Sequence, residues 1–295
     1  MIACSFCGEK PEVLFQAKDL NRKISKKKFI YSRCPSCDLI SISEIPDNLG
    51  SYYAQEYYQI PSLDKLKNIA KAEKFKIEMI KKFVTSGALL EIGPAFGVFA
   101  YQAKEAGFKV DTIEMNERCC KYLEEEVGVN VIKSDMPHKA VESMGKHDVI
   151  AMWHVLEHLA NPWEALSALA NNLSPGGMLV IATPNPQSFQ FRLMGAYWPH
   201  ADAPRHLNLF PRKVLEDYLE RHGLKLVMIT TDDHGGRSWN RFGWQRLLMN
   251  CCSGKLTQRI CFVIGYLVSF PMALWDRKKF EGCAYTAIFQ KKVAE

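Results

Sequence analysis

The stretch from residue 88 to residue 181 constrains the fold more than any other part of the chain, because short apolar runs and helical patterns alternate along it. Apolar runs at 88–92, 110–114, 129–133, 148–152 and 178–182 predict strands. Amphipathic patterns over 98–106, 117–127 and 162–173 predict the helices between them. Parallel neighbours need a crossover, and right-handed crossovers place helices on both faces of the sheet. The spacing therefore predicts a doubly wound α/β domain. A further helix over 211–222, closed by Gly223, is followed by strands over 224–231 and 284–290.

At 295 residues the chain has room for one such domain and a small appendage, and the cysteines say what the appendage is. Four of the ten cysteines form two CxxC pairs, Cys4 with Cys7 and Cys34 with Cys37. Each doublet can turn back and offer two thiolates to one tetrahedral ion. Four closed ligands imply a structural zinc, since a catalytic zinc keeps one position open for water. Residues 1–45 lack helical periodicity and are expected to form short strands and knuckles around that ion, a small zinc-binding module. The other six cysteines have no ligand spacing and are expected to be small buried apolar groups. The opening residues carry neither a basic nor an apolar leader segment, so a reducing cytoplasm is expected. Net charge is +6, with a local source at Lys23, Lys26, Lys27 and Lys28; a solvated face is the preferred reading over nucleic-acid contact. Residues 46–85 form a connector, with Tyr52, Tyr53, Tyr57 and Tyr58 expected to pack on the core and an amphipathic helix over 64–84.

The strongest chemical signal is Leu89-Leu90-Glu91-Ile92-Gly93-Pro94-Ala95-Phe96-Gly97, a strand that ends in an acid and a glycine-bracketed turn. Gly93 suits a tight turn, and Gly97 would let the next helix approach a ligand closely. A dinucleotide fingerprint is missing, because Ala95 and Val98 stand where its second and third glycines belong. Acids recur after the next two strands, at Glu114 and Asp135, and 172–181 runs through Pro175-Gly176-Gly177 into an apolar strand. This series, with Trp153-His154-Val155-Leu156-Glu157-His158 after the fourth strand, resembles class I S-adenosylmethionine-dependent methyltransferases from about residue 89 to 185. The resemblance implies a mostly parallel, seven-stranded, Rossmann-like sheet in a methyltransferase domain over 86–295. It also implies S-adenosylmethionine bound by Glu91, Gly93, Ala95, Gly97, Glu114, Met115, Asp135, Met136, Trp153 and His154. Glu114 would take the ribose hydroxyls, and Asp135 would lie near the adenine amino group. The N-terminal cysteines resemble the zinc module ahead of bacterial methyltransferases, some deoxysugar C-methyltransferases among them.

Methyl transfer needs an aligned acceptor and often a base. His154, His158, His200 and His206 are the candidates, with Glu157 beside two of them. His154 and His158 could share a metal if helical, yet a third ligand is not evident and a metal-free role is expected. His206, in a His-Leu-x-x-Phe pattern resembling the family's, is the first choice for general base, and His158 the second catalytic candidate. Loop packing is the alternative for His206. Residues 184–222 form an insertion dense in His, Arg, Asp and aromatics, suited to a polar small-molecule acceptor such as a sugar or a lipid-linked glycan intermediate. Within the apolar segment 255–280, residues 260–275 are nearly uncharged yet short of a spanning helix. A buried helix pair or substrate lid is expected there; the alternative is docking at a membrane interface, which would place the protein at the inner face of the membrane. The rival to an enzyme is a catalytically inactive binding protein that recruits a partner or nucleic acid through its zinc module. Oligomeric state, and whether O, N or C is methylated, leave no mark in the sequence.

Overall fold

The computed structural model describes residues 3–53 and 59–293. The N-terminal part holds β1 (Glu12–Lys18), β2 (Lys28–Arg33) and β3 (Ile40–Ile42), followed by α1 (Leu63–Ala72) and α2 (Phe75–Ile80). The alternating core comprises β4 (Gly87–Ile92), α3 (Val98–Glu105), β5 (Phe108–Glu114), α4 (Glu117–Tyr122), β6 (Asn130–Lys133), α5 (Pro137–Ala140), β7 (His147–Trp153), α6 (Pro162–Asn172) and β8 (Leu173–Pro184). Then come α7 (Phe189–Met194), β9 (Asn208–Leu209), α8 (Arg212–Arg221), β10 (Leu224–Thr230), α9 (His234–Asn250), α10 (Lys255–Asp276) and β11 (Ala284–Lys291).

The large sheet has seven strands in the order β10-β11-β8-β7-β4-β5-β6. Its central pairs β8/β7, β7/β4, β4/β5 and β5/β6 are parallel, and only β11 runs against its neighbours. Helices cover both faces, so Val149, Ile150, Ala151 and Met152 of β7 are all fully buried. That is why the strand reads as an unbroken apolar run, where a one-sided strand would alternate. After β6 the chain returns across β4 to lay down β7, which puts the switch in strand order between β4 and β7. The crevice beyond the carboxyl ends of these two strands is where such sheets bind ligands.

A second, four-stranded antiparallel sheet has the order β1-β2-β3-β9. Its last strand is lent by the 184–222 insertion. Phe29, Tyr31 and Tyr52 share one apolar cluster with Trp198, Leu207 and Trp244. The polar residues of the insertion also turn inward: Arg205 is 0% exposed and bonds Asp19 at 2.8 Å and Asp202 at 2.7 Å. Charges that read as suited to a polar acceptor instead bind the N-terminal sheet to the body.

The elements differ from expectation at several places. The connector helix breaks after Ala72, where the Ala70 carbonyl accepts from both Gln102 Nε2 at 2.7 Å and the Glu73 N–H at 3.2 Å. The expected helix over 117–127 turns to π geometry at Leu123–Val127 and stops at the left-handed Gly128. Strand β8 starts at Leu173, and its pairing with β7 skips from Leu173 to Met178, so the Pro-Gly-Gly stretch bulges out. Helix α9 had no sequence expectation at all. Helix α10 spans 22 residues, long enough to cross a membrane where the sequence led to a shorter stretch, and only 11% of its most apolar window is buried, so the buried helix expected at 260–275 is not found. Cys119, Cys120 and Cys283 are buried as expected, whereas Cys251 is exposed and Cys252 and Cys261 are half-buried with sulfurs 2.9 Å apart. Tyr57 and Tyr58 lie outside the described residues.

Removing one member of a buried ion pair strands the other charge. Arg205→Ala is expected to lower unfolding stability by about 3–5 kcal/mol. Denaturant titration followed by tryptophan fluorescence checks this, since Trp198 and Trp244 lie in the joined cluster.

Candidate active site

The loop after β4 carries three left-handed residues within five: Gly93 at φ +65°, Ala95 at +53° and Gly97 at +81°. Gly93 and Gly97 are glycines for steric reasons as well. A Cβ on Gly93 would come within 2.7 Å of Val155, and one on Gly97 within 2.5 Å of Leu123. Gly97 thus serves the packing of α3 on the helix after β5. Ala95 is strained, and its N–H donates to Glu114 Oε2 at 3.0 Å while Asn116 N–H donates to Oε1 at 2.8 Å. These two bonds lock the Glu114 carboxylate against the loop and leave a lone pair on each oxygen.

Glu91 is 3% exposed, and its Oε2 has no hydrogen-bond partner among the described residues. Burial pushes its carboxyl up to about 8, against the pull of Lys76. An orphaned buried acid beside a tight turn is a site prepared for a cationic group. Trp153 Nε1 is likewise unpartnered; its ring meets Phe99 at 5.4 Å, and the Lys76 ammonium lies 5.1 Å from its centroid. Met115, Asp135 and Met136 are exposed at the ends of β5 and β6, forming a rim on this edge of the sheet. The donor set fits S-adenosylmethionine: acids toward its ammonium and ribose, apolar side chains toward its adenine.

Beyond the carboxyl ends of β7 and β8 two cavities adjoin. One of about 520 Å³ is lined by Phe75, Lys76, Trp153, His154, His234 and Trp239. The other, about 370 Å³, shares His154 and Trp239 and adds Glu157, His158, His200 and His206. A larger depression of about 710 Å³ lies by Lys146 and Asn172, at the opposite, amino ends of these strands.

Four of these residues form a proton-handling group. His154 has a left-handed backbone (φ +58°) and Leu156–His158 is a 3₁₀ turn, so His154 and His158 do not share a helix face. His154 Nδ1 lies 3.4 Å from Oε1 of Glu157, which is fully buried, and the Thr183 hydroxyl donates to Oε2 at 3.0 Å. Burial pushes Glu157 upward, but the His154 bond and the charges of His154, His206 and His158 outweigh it and hold the carboxyl at about 2. His206 Nδ1 lies 2.8 Å from the His200 carbonyl, and His158 Nδ1 lies 3.0 Å from the Arg205 carbonyl. A carbonyl can only accept, so both Nδ1 atoms carry a proton, and the neutral form of each ring has its lone pair at Nε2. The two rings meet edge to face at 4.6 Å. Burial, aided by His206, pulls His158 down to about 4, and burial pulls His200 down to about 3. His200 gives Nε2 to the Trp239 carbonyl at 3.1 Å and has a structural part. Lys76, Thr183, Trp239 and Phe242 escaped the sequence reading, and Tyr53, read there as a packing residue, brings its hydroxyl 2.9 Å from His158 Nδ1. Nothing in their local sequence marks them, because tertiary folding alone brings α2, α9 and the connector here.

The four motif cysteines converge beside α6, where Phe6 packs on Trp163. Sulfur separations are 3.6 Å for Cys4–Cys37, 3.3 Å for Cys7–Cys34 and 3.7 Å for Cys7–Cys37. Zinc–sulfur bonds of about 2.3 Å in a tetrahedron set sulfurs about 3.8 Å apart, close to these values. The two knuckles also match in backbone, with Gly8 and Asp38 both left-handed four residues after the first cysteine of each.

Residues 62–229, more than half of the chain, match the family model of a methyltransferase domain. Among curated relatives, a ubiquinone biosynthesis O-methyltransferase of Nitrosospira multiformis is 30% identical over 131 residues, covering 42% of this chain and 52% of the relative. Its namesake in Cereibacter sphaeroides is 27% identical over 166 residues, covering 53% of this chain and 65% of the relative. The chain thus spans between half and two thirds of the length of these two curated relatives. Among solved structures, a SAM-dependent methyltransferase from Archaeoglobus fulgidus aligns with TM-score 0.52 at 20% identity, over 75% of this chain and 94% of that one. A putative sarcosine dimethylglycine methyltransferase from Galdieria sulphuraria aligns with TM-score 0.52 at 12% identity, over 84% and 99%. With an acid-and-glycine loop at the switch point of a seven-stranded sheet and a family match over most of that sheet, the chain belongs to the methyltransferase domain family.

Proposed function

We propose that this protein methylates an oxygen of a small-molecule acceptor held in the cavity beside His158 and His206, with a sugar or a lipid-linked intermediate as the acceptor class. The observation that carries the reading is the adjacency of two prepared sites: an orphaned buried acid at the glycine loop, and a histidine pair with free lone pairs one cavity away. The names of the curated relatives support oxygen as the accepting atom. S-adenosylmethionine supplies an electrophilic methyl carbon on a sulfonium. Glu91, Gly93, Ala95, Gly97 and Glu114 would hold it, with Met115, Asp135 and Met136 at the rim and Trp153 and His154 closing the inner side. His206 Nε2 is placed to receive the proton of the acceptor hydroxyl, with His158 beside it. Glu157, ionised and central, stabilises the imidazolium that results. An inactive binding protein has no use for such a cavity-lining base pair.

We further infer that Cys4, Cys7, Cys34 and Cys37 hold one structural zinc. The sulfur spacing supports it, and the ion would do for the N-terminal sheet what its small core cannot.

His206→Ala is expected to lower kcat by about 10²–10⁴-fold while leaving S-adenosylmethionine affinity intact; turnover with labelled methyl donor and calorimetry measure the two. Metal analysis is expected to find one zinc per chain, lost in Cys34→Ser. A second ion lost in His206→Ala would make Glu157, His158 and His206 a metal site and displace the base assignment. For Glu91 the sign is fixed by its raised value. The stability given by the protonated form is complete below about 4.5 and is lost as pH rises through about 8. Glu91→Gln should therefore raise the melting temperature of the cofactor-free protein by a margin that grows from pH 5 to pH 8, and should weaken S-adenosylmethionine binding. Equal melting shifts across that range would refute the buried-acid reading.

A further inference from the structure

Helix α10 is amphipathic the wrong way round. Its stripe against α9 mixes small, polar and apolar residues, Cys261, Gly265, Val268, Ser269, Met272 and Asp276. A Cβ on Gly265 would come within 2.5 Å of Gln245 Cα, so the two helices touch backbone to backbone. The opposite stripe, Leu256, Ile260, Val263, Leu267, Phe270 and Leu274, is 50–72% exposed. At about 100° per residue the two stripes lie on opposite faces. Phe262, Ile264, Tyr266 and Trp275 flank the outer stripe and are also exposed, so the apolar arc covers more than half of the circumference. A soluble helix with this pattern would be turned over.

We propose that the outer face of α10 lies flat on an anionic membrane surface, inserted to the depth of its side chains. Charge selects the lipid. Lys255 and Arg259 stand at one end of the face and Arg277, Lys278 and Lys279 at the other, while the one acid of the helix, Asp276, is buried and accepts from Trp244 Nε1 at 2.8 Å. The same pattern disfavours a second copy of the chain. Pairing two such helices would set basic end against basic end, or leave the apolar flanks uncovered where a coiled coil carries charge. The helix has the length and composition to cross a bilayer, but α9 and the Asp276 bonds hold it along its whole inner face. It therefore lies in the interface plane with its wide apolar arc in the acyl boundary and its basic ends at the headgroups. Trp239 and Phe242 of α9 line the cavity of His206 while α10 packs on the other side of that helix, so the docking sets the helix pair between cavity and lipid and does not rest on the proposed methyl transfer.

Sedimentation of the full-length protein with vesicles of phosphatidylcholine, with and without phosphatidylglycerol, tests the docking without cofactor or acceptor. Wild type should sediment with the anionic vesicles and be released as salt rises. The variant carrying Leu267→Glu and Phe270→Glu should lose about tenfold or more of the partition coefficient. The surface variant carrying Lys278→Glu and Lys279→Glu should lose binding to anionic vesicles, and it guards against misfolding of the first. Unchanged S-adenosylmethionine affinity reports that both variants are folded. Wild type left in the supernatant of both vesicle types, or variants that bind as well as it does, would overturn the proposal. So would a wild-type dimer that Leu267→Glu with Phe270→Glu converts to monomer, since a second copy would then be the occupant.

Discussion

Much of this molecule depends on one buried guanidinium. Arg205 sits without solvent contact between Asp19 of the N-terminal sheet and Asp202 of the insertion, and Asn21 donates to both Asp202 and the Pro199 carbonyl beside it. Taking three charges out of water is costly, and apolar packing of equal volume would stabilise the fold as well or better. What the charges supply is a single register. They set Asn21, Pro199, His200 and Asp202 along one wall of the cavity that holds His206. The Arg205 carbonyl orients His158 through Nδ1. The same residue thus joins two sheets and fixes the tautomer of a histidine in the cavity.

The electrostatics of the site divide by strand. At the end of β4, burial without a partner keeps Glu91 protonated in the cofactor-free protein, ready to exchange its proton for a cation. After β7, Glu157 is equally buried but ringed by histidines, and it stays ionised. Two glutamates in one sheet edge are driven to opposite protonation states by their neighbours.

Helix α9 links this chemistry to the outside of the protein. One side of it lines both cavities, and its other side carries α10 with the apolar face turned out. A helix pair inserted between β10 and β11 costs the sheet nothing, because those strands still pair across it. The insertion point lies at the carboxyl edge of the sheet, the edge at which the cavities open.

The α/β class, the parallel core strands, the glycine loop and the four cysteines were legible in the sequence because each is local: a period of hydrophobicity, a turn that only certain residues can make, a ligand spacing. The roles of particular side chains were not. Gly97 reads as a ligand-facing glycine, and its packing contact with Leu123 left no mark in the sequence. Arg205 and Asp202 read as acceptor contacts and are an internal ion pair. Helix α10 reads as core and faces outward, since hydrophobicity states what a residue avoids and not which surface is there to cover it. Periodicity and turn chemistry act over a few residues, so the chain alone determined its elements and their order. Burial, tautomer and the meeting of Tyr53 with His158 arise between segments about a hundred residues apart, and the tertiary structure alone decided them.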